Sequence, residues 1–250
     1  MTRLAVVAAV AVLVAVLAMV LTAVAARRAH RVSVVDTTWG LALAAEAVAA
    51  ALVGDGDLLR RVLLAVLVSL WGLRLAWHMH RRNHGAGEDP RYSKVLREGS
   101  PLRKVYLPQG VAVWFVSLPL QVSSVFATRV DALVWAGAAL WLTGVAFEAI
   151  GDAQLAAYKR DPDRGPVMDR GLWRYTRHPN YFGDACVWWG VWLICAWPWP
   201  GLLTVVAPIA MTYFLVVGTG ARLLEQTMMQ RPGYPEYAAR TSMFVPRPPR

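Results

Sequence analysis

The sequence predicts an all-α integral membrane protein, a polytopic bundle of about seven transmembrane helices. Hydrophobic residues make up 57% of its 250 positions and charged residues only 17%, and the mean hydropathy is +0.40. A soluble domain of this length needs a more polar surface, so the composition excludes the ordinary soluble classes. The apolar residues also gather in runs close to the roughly 20 residues with which a helix crosses a bilayer.

Seven apolar runs predict the spans, at residues 4–26, 35–53, 63–77, 110–127, 132–150, 185–199 and 202–218. The first run is longer than the apolar core of a signal peptide, so we expect it to be retained as a span. The runs 63–77 and 185–199 are short, so we expect each to be tilted, broken or partly inserted. We expect one membrane domain over residues 1–250, with residues 1–30 as the first span and its basic flank.

Basic residues predict the orientation of the bundle. Lysine and arginine accumulate after the first, third, fifth and seventh runs, whereas the opposite loops hold only Arg3, Arg60, Arg61 and Arg129. Because cytoplasmic loops carry the excess of Lys and Arg, we expect the N-terminus outside and the C-terminus inside. This topology and anionic lipid head groups account for the net charge of +10, so no nucleic-acid partner is expected.

Polar residues mark the cytoplasmic ends of the second and third spans. Asp36 opens the second span, where it either caps the helix or takes part in catalysis. Glu46 lies near mid-span, where an ionisable side chain normally faces the protein interior. Arg74 and His78 share a helix face at the end of the third span, and Tyr92 follows in the next loop. His78 is either an interfacial histidine or a proton donor suited to neutral pH.

The fifth span ends in a second polar group. Glu148 and Asp152 lie four residues apart on one helix face, and Gln154 follows them. Two like charges at this spacing repel unless a cation or a hydrogen-bonding ligand, such as ribose hydroxyls, joins them. The alternative is ordinary structural pairing with Lys159 or Arg174.

The densest polar run is GLWRYTRHPNYFGD at residues 171–184, between two membrane-length apolar segments. Unpaired polar groups are costly beside hydrocarbon, so this density predicts the edge of an active site. The helix that starts after Pro179 points backbone N–H groups at Arg174, Arg177 and His178, which predicts a phosphate-bearing ligand. The C-terminal segment extends the group with Arg222, Glu225 and Tyr234.

Two cofactors fit a basic cytoplasmic site of this kind. Arginine pairs well with phosphate, which favours the polyanion NADPH over S-adenosylmethionine, although the positive-inside rule predicts the same arginines. The sequence has no GxGxxG strand–turn–helix unit, so a Rossmann site is excluded as the binding mode. Cys186 and Cys195 lie nine residues apart in one predicted span, so neither a disulfide nor a metal site is expected.

Four motifs, taken in order, resemble the steroid 5-alpha-reductase superfamily and in particular its bacterial membrane branch. They are DxxWG from Asp36, GDxQL from Gly151, GLWRYTRHPNYFG from Gly171 and RPGYPxY from Arg231. The HPNY element is shared more loosely with sterol C14-reductases and isoprenylcysteine carboxyl methyltransferases. The resemblance implies a reductase of the bacterial cytoplasmic membrane in which residues 31–250 form a bundle with a cytoplasmic cofactor site.

The resemblance also implies which residues hold the cofactor. It carries over to Asp152, Asn180 and Asp184 as pocket residues, to Arg174, Arg177 and His178 near the phosphates, and to Glu148 and Lys159 as further contacts. Asp184 stands where the family usually has a glutamate, which is one methylene longer. The predicted cofactor-binding set is completed by Gln154, Tyr175, Tyr181, Arg222, Glu225 and Tyr234.

The reaction implied is hydride delivery from NADPH to the β carbon of a lipophilic enone dissolved in the membrane. A proton donor must hold the carbonyl oxygen as charge develops there. Eukaryotic members use a glutamate and a tyrosine for this, and the nearest matches here are Asp36 and His78. We therefore expect His78 as the donor, with Asp36 or Tyr92 assisting.

Two other functions stay open from the sequence. One is an S-adenosylmethionine-dependent lipid or prenyl-thiol methyltransferase on the same scaffold. The other is a non-catalytic lipid-binding or transport protein. The distribution of the polar residues argues against it, because they cluster at one face of the membrane and do not trace a path across it. The expected partners are a lipophilic small molecule and the bilayer itself.

Overall fold

The computed structural model describes residues 2–85, 87–89, 92–93, 97, 99–129, 131–218 and 220–249. Helix is the only regular structure in these ranges, which contain no β-strand, and this confirms the all-α fold class. Three of the basic residues used for the orientation, Arg91, Lys94 and Arg250, lie outside the described residues. The chain divides into two compact units, and the predicted single membrane domain stays a prediction.

Six helical stretches of the described chain are long and apolar enough to cross a membrane. They are Arg3–Ala29, Val32–Val53, Leu58–Asn83, Leu102–Phe126, Ala132–Arg160 and Trp199–Met228. A further helix, Pro179–Cys195, has 17 residues, which is the lower limit for spanning hydrocarbon. Together they correspond to the seven predicted spans.

Unit 1 contains Met1–Ala132 and Ile194–Ala207. Its helices are α1 (Arg3–Ala29), α2 (Val35–Val53), α3 (Leu58–Asn83), α4 (Leu107–Val116) and α5 (Leu118–Phe126). Short 3-10 segments at Val32–Val34 and Trp199–Val205 and a π-helical turn at Leu102–Tyr106 complete the unit.

Helices α2 and α3 cross where two glycines face each other. A Cβ atom placed on Gly40 would lie 2.3 Å from the carbonyl oxygen of Gly72, and the reverse distance is also 2.3 Å. Only hydrogen fits in that space, so the two backbones approach as closely as small residues allow in membrane bundles. This contact fixes the start of α2 against the C-terminal half of α3.

The fourth span is interrupted between α4 and α5 at Ser117. Pro119 lacks a backbone N–H and so removes one bond of the helical ladder. The hydroxyl of Ser117 and the amide of Gln121 both donate to the carbonyl of Trp114, at 2.9 and 3.1 Å. Side chains thereby satisfy backbone groups at the break, as irregular backbone within a membrane requires.

At the far end of α3, Arg60 is 1% exposed. Its guanidinium donates to the carbonyl of Trp197 and, at 2.8 Å, to the carbonyl of Arg129, and it lies 3.6 Å from a carboxylate oxygen of Asp131. A charge buried in this way needs such partners to offset its lost hydration. Arg60 thus joins the start of α3 to two connections of unit 1, one containing Arg129 and Asp131 and the other containing Trp197.

Unit 2 contains Leu133–Leu193 and Pro208–Arg250. Apart from a few terminal residues it holds α6 (Ala132–Arg160), α7 (Pro179–Cys195), α8 (Val206–Tyr213), α9 (Ala221–Met228) and α10 (Tyr234–Arg240). A 3-10 turn at Gly171–Arg174 precedes α7, and a π-helical turn at Phe214–Gly218 follows α8.

Glycines also bring α6 and α7 together. A Cβ atom on Gly144 would lie 2.5 Å from the carbonyl oxygen of Gly183, and the reverse distance is 2.5 Å. About two helical turns further, a Cβ on Gly190 would lie 2.6 Å from the carbonyl oxygen of Gly137. This close crossing brings the polar residues of α6 and the first turns of α7 to one place.

Candidate functional site

The polar centre of unit 2 is an ion pair between Arg177 and Glu225. Arg177 lies just before α7 and Glu225 lies on α9. Nε of the guanidinium donates to Oε1 at 2.6 Å, and Nη2 donates to Oε2 at 2.8 Å. Their side chains are only 10% and 13% exposed, so this two-point pair is well shielded from solvent.

Two aromatic groups complete the surroundings of the Glu225 carboxylate. Nε2 of His178 lies 3.1 Å from Oε1, and the phenol of Tyr234 donates to the same oxygen at 3.3 Å. The imidazole also stacks on Tyr181, with ring centres 5.4 Å apart. Glu225 therefore orients a guanidinium, an imidazole and a phenol at once.

The C-terminal segment accepts further hydrogen bonds from Arg177 and its neighbour Thr176. Nη1 of Arg177 donates to the carbonyls of Ala238, at 2.8 Å, and Thr241, at 2.5 Å. The backbone N–H of Arg177 donates to the carbonyl of Ser242 at 2.9 Å, and the hydroxyl of Thr176 donates to the carbonyl of Phe244 at 2.8 Å. Protein groups thus occupy all three guanidinium nitrogens of Arg177.

Proton affinities in this cluster follow from burial and from the ion pair. Burial lowers the pKa of Arg177, but the hydrogen bond and charge of Glu225 outweigh it, so the pKa of Arg177 is raised. Burial and the negative charge of Glu225 raise the pKa of Tyr234 to about 12. Burial also raises the pKa of Tyr237. At neutral pH the guanidinium is therefore charged and both phenols are neutral.

A second group of polar residues lies where α6 meets the start of α7. Glu148 is 3% exposed, and its Cγ would lie 2.9 Å from a Cβ placed on Gly183. The backbone N of Asn180 would lie 3.6 Å from a Cβ placed on Gly151, next to Asp152. Asp152, Asn180 and Asp184 are half-buried.

Gln154 holds the turn that leads into the polar run. Its Oε1 accepts a hydrogen bond from the backbone N–H of Leu172 at 3.0 Å. Gly171 has a φ of +59°, and a Cβ there would lie 2.3 Å from Nε2 of Gln154, so a side chain would be strained in conformation and would collide. One turn before Gln154, the carbonyl of Gly151 accepts a bond from the indole of Trp173 at 3.0 Å.

An open cavity of about 500 Å³ lies beside this turn. Its walls come from the end of α6, the segment 161–171 and α10. The charged residues among them are Asp161, Arg164, Asp169, Arg170 and Arg240. Arg240 and Asp169 are 2.5 Å apart, which leaves Arg164 and Arg170 as further cations of the wall.

Some predicted site residues are exposed on the surface of unit 2. These are Lys159, Arg174, Tyr175 and Arg222. The cluster around Glu225 brings together Arg177, His178, Tyr181 and Tyr234, all of which were in the predicted set. That these residues bind a cofactor stays a prediction.

The three predicted proton-donor residues belong to unit 1. The phenol of Tyr92 donates to Oδ1 of Asp36 at 2.6 Å, so the structure pairs two of them. Asp36 lies in the first turn of α2, whose N-cap residue is Val34, so the capping interpretation of Asp36 is wrong. His78 lies on α3 and is half-buried.

Sequence reasoning missed several members of these sites. Tyr237 donates from its phenol to the carbonyl of Trp173, and it already stood in the RPGYPxY motif. The carboxylate of Glu88 accepts bonds from the backbone N–H groups of Val32 and Ser33, at 3.0 Å for Ser33, and so anchors the loop of Tyr92 to the start of α2. Neither Glu88 nor the charged cavity residues Asp161, Arg164, Asp169 and Arg170 were in the predicted site.

In comparisons with known proteins, a family profile matches the sequence of this chain. The profile of the family described as "Protein of unknown function (DUF1295)" matches residues 22–241, which is more than half of the chain. A curated relative, the "Steroid 5-alpha-reductase DET2" of Arabidopsis thaliana, is 34% identical over 67 residues. This match spans 26% of the chain and 25% of that relative, so it covers about a quarter of each. No solved structure matches the chain.

Proposed function

Because the chain belongs to the DUF1295 family, which forms part of the steroid 5-alpha-reductase superfamily, we propose that it is an NADPH-dependent membrane reductase. Its substrate class is a lipophilic enone, whose carbon–carbon double bond is reduced. The observation that carries the proposal is the polar cluster around Arg177 and Glu225 in unit 2. The motifs that predicted the cofactor site contribute residues to this cluster.

The residues of unit 2 fit a phosphate-bearing dinucleotide. The cavity beside Gly171 has the volume of a small-molecule site, and its wall carries arginines that suit phosphate oxygens. Arg174 lies three residues after Gly171 and its side chain is exposed. The guanidinium of Arg177, in contrast, is already hydrogen-bonded to protein groups. We assign phosphate contacts to Arg164, Arg170 and Arg174, and we assign to Arg177 the task of holding the segment in place.

The half-buried polar residues of α6 and α7 suit the neutral parts of the same cofactor. Asp152 and Asp184 offer acceptors for ribose hydroxyls, and Asn180 offers both a donor and an acceptor for an amide. When bound, NADPH supplies a hydride to an electron-poor carbon. Glu225 keeps His178 and Tyr234 in fixed orientations, so the pocket is ordered before the cofactor arrives.

For the proton we propose Tyr92 as the donor and Asp36 as the group that positions it. Their hydrogen bond supports this, because it holds the phenol of Tyr92 at a fixed position beside the start of α2. As charge develops on a substrate oxygen, the single O–H of Tyr92 would turn from Asp36 to that oxygen and lower the barrier. We keep His78 as a second candidate donor, and we place the reaction on the cytoplasmic side of a bacterial membrane.

Cofactor binding tests the first half of the proposal. Ligand that binds the native state raises the melting temperature of the detergent-purified chain, so we expect a shift with NADPH and none with S-adenosylmethionine. Asn180→Ala and Arg174→Ala should each reduce the shift, while Arg28→Ala, an exposed arginine of unit 1, should keep it. A shift with S-adenosylmethionine alone would contradict reduction and favour methyl transfer.

Turnover tests the second half. With a panel of lipophilic enones we expect NADPH oxidation, and we expect Tyr92→Phe to lower kcat by about 10²–10⁴-fold with little change in KM. His78→Ala serves as the comparison, since full turnover in that variant removes His78 from the donor role. Full turnover in Tyr92→Phe would instead contradict the assignment of Tyr92.

A further inference from the structure

Unit 1 contains a buried carboxyl group that the proposed reaction does not use. Glu46 lies on the inner face of α2 with Leu43, Ala47 and Ala50, and it is 1% exposed. On the opposite face Leu41, Val48 and Leu52 are exposed. Among the described residues, no group forms a hydrogen bond with Oε1 of Glu46. A polar atom left in this state within a membrane span costs free energy and marks a functional site.

The ends of α2 and α5 show which residues lie at the depth of Glu46. The backbone N–H of Gly56 donates to the carbonyl of Ser124 at 2.8 Å, so the two helices end at the same level. Glu46 precedes Gly54 by eight residues, which is about 12 Å of helix. Ser117 precedes Ser124 by seven residues, or about 10 Å of helix. Glu46 therefore lies level with the break between α4 and α5.

A second buried group at this break also lacks a partner. The indole N–H of Trp114, one turn before Ser117, has no acceptor among the described residues. Trp114 lies on α4, which packs against α2. Ser117 is 0% exposed, and broken helices in membranes form their binding sites at such interruptions. One unused acceptor and one unused donor thus occur on neighbouring helices at similar depth.

The chemistry of this pair selects its ligand. A carbonyl or ether oxygen satisfies only the indole N–H, and an ammonium group satisfies only the carboxyl oxygen. A hydroxyl group donates one hydrogen bond and accepts two, so it satisfies both. We propose that Glu46 and Trp114 form a site in the middle of unit 1 that binds the hydroxyl group of a lipophilic alcohol dissolved in the membrane.

Carbodiimide labelling tests this site without cofactor or turnover, so its outcome is separate from that of the reductase proposal. Dicyclohexylcarbodiimide enters hydrocarbon and adds to a protonated carboxyl, whose proton moves to a carbodiimide nitrogen with no leaving group. We expect mass spectrometry of the full detergent-purified chain to find the adduct on Glu46. 1-Dodecanol at ten times its Kd should slow this labelling about tenfold, and dodecane should not.

A pair of matched variants tests the role of the indole N–H of Trp114. Trp114→Phe should retain labelling of Glu46 but lose protection by dodecanol, because only the N–H is removed. Trp141→Phe is the control, since its buried indole also lacks an acceptor among the described residues but lies in unit 2. Labelling that dodecanol and dodecane slow equally, or that neither slows, would show that the site does not select the hydroxyl group of an alcohol. That result, or an unlabelled Glu46, overturns the proposal.

Discussion

Arg177 and Glu225 meet through two hydrogen bonds of 2.6 and 2.8 Å although 48 residues separate them in the chain. The pair joins the segment before α7 to α9, and the C-terminal segment closes over it. We therefore expect this contact to govern the stability of unit 2 as well as the order of the proposed cofactor site.

Glu225→Gln should destabilise the protein strongly. The change leaves the Arg177 cation buried without its counter-charge, which costs about 3 kcal/mol and lowers the melting temperature by about 6–12 °C. Glu236→Gln is the control, because Glu236 is exposed on α10. Equal melting temperatures for the two variants would show that the ion pair contributes little.

Alkaline pH should weaken the same cluster. The pKa of Tyr234 is raised from 10.0 to about 12, so between these pH values its phenol ionises in the unfolded chain but stays neutral in the folded one, which favours unfolding. By linkage, stability is fully present below pH 10 and is lost as pH rises toward 12. Melting temperatures measured from pH 8 to 12 should fall above pH 10, and they should fall less in Tyr234→Phe. Identical curves for both proteins would contradict this.

Gly183→Ala should disrupt the crossing of α6 and α7. The new Cβ would lie 2.5 Å from the carbonyl oxygen of Gly144 and 2.8 Å from the backbone N of Glu148, so the helices must separate. Overpacking of this kind costs about 1–3 kcal/mol. Gly87→Ala, which places a methyl group in open space, should leave the melting temperature unchanged.

Arg60→Met should cost more than the loss of any exposed arginine. It removes the charged donor to the carbonyls of Trp197 and Arg129, two hydrogen bonds worth about 1.5–3 kcal/mol each. Arg3→Met removes only an exposed pair with Asp55 and should cost less than about 1 kcal/mol. Thermal unfolding of both variants in one detergent gives the comparison, and similar losses would refute the role of Arg60.

Hydropathy predicted the spans well where the helix carries few charges. The predicted second span, 35–53, coincides with α2 at both ends. The third was predicted as 63–77, but α3 extends over Leu58–Asn83. The missing first turns contain Arg60, whose charge is satisfied by carbonyls that no local pattern identifies. The sixth span starts earlier than predicted because Pro179 begins α7, a position where its missing N–H costs nothing.

Motifs identified residues of the candidate sites better than they identified contacts between them. Asp36 and Tyr92 were both predicted as donor residues, but their hydrogen bond joins positions 56 apart in sequence. Arg177 was expected at phosphates, yet its nitrogens bond to Glu225 and to carbonyls near the C-terminus. Residue type reveals what a side chain is able to bind, whereas tertiary folding decides which partner reaches it first.

The burial of Arg60 imposes an order of events on biosynthesis. One of its acceptors, the carbonyl of Trp197, is 137 residues further along the chain. At common translation rates of about 5–20 residues per second, this acceptor is synthesised roughly 7–27 seconds after Arg60 itself. During that interval Arg60 remains a charge that must be hydrated or held by the insertion machinery. Unit 1 is therefore completed only after α6 and all of α7 have been synthesised, so Arg60 at the start of α3 gains this acceptor only once the chain has reached Trp197.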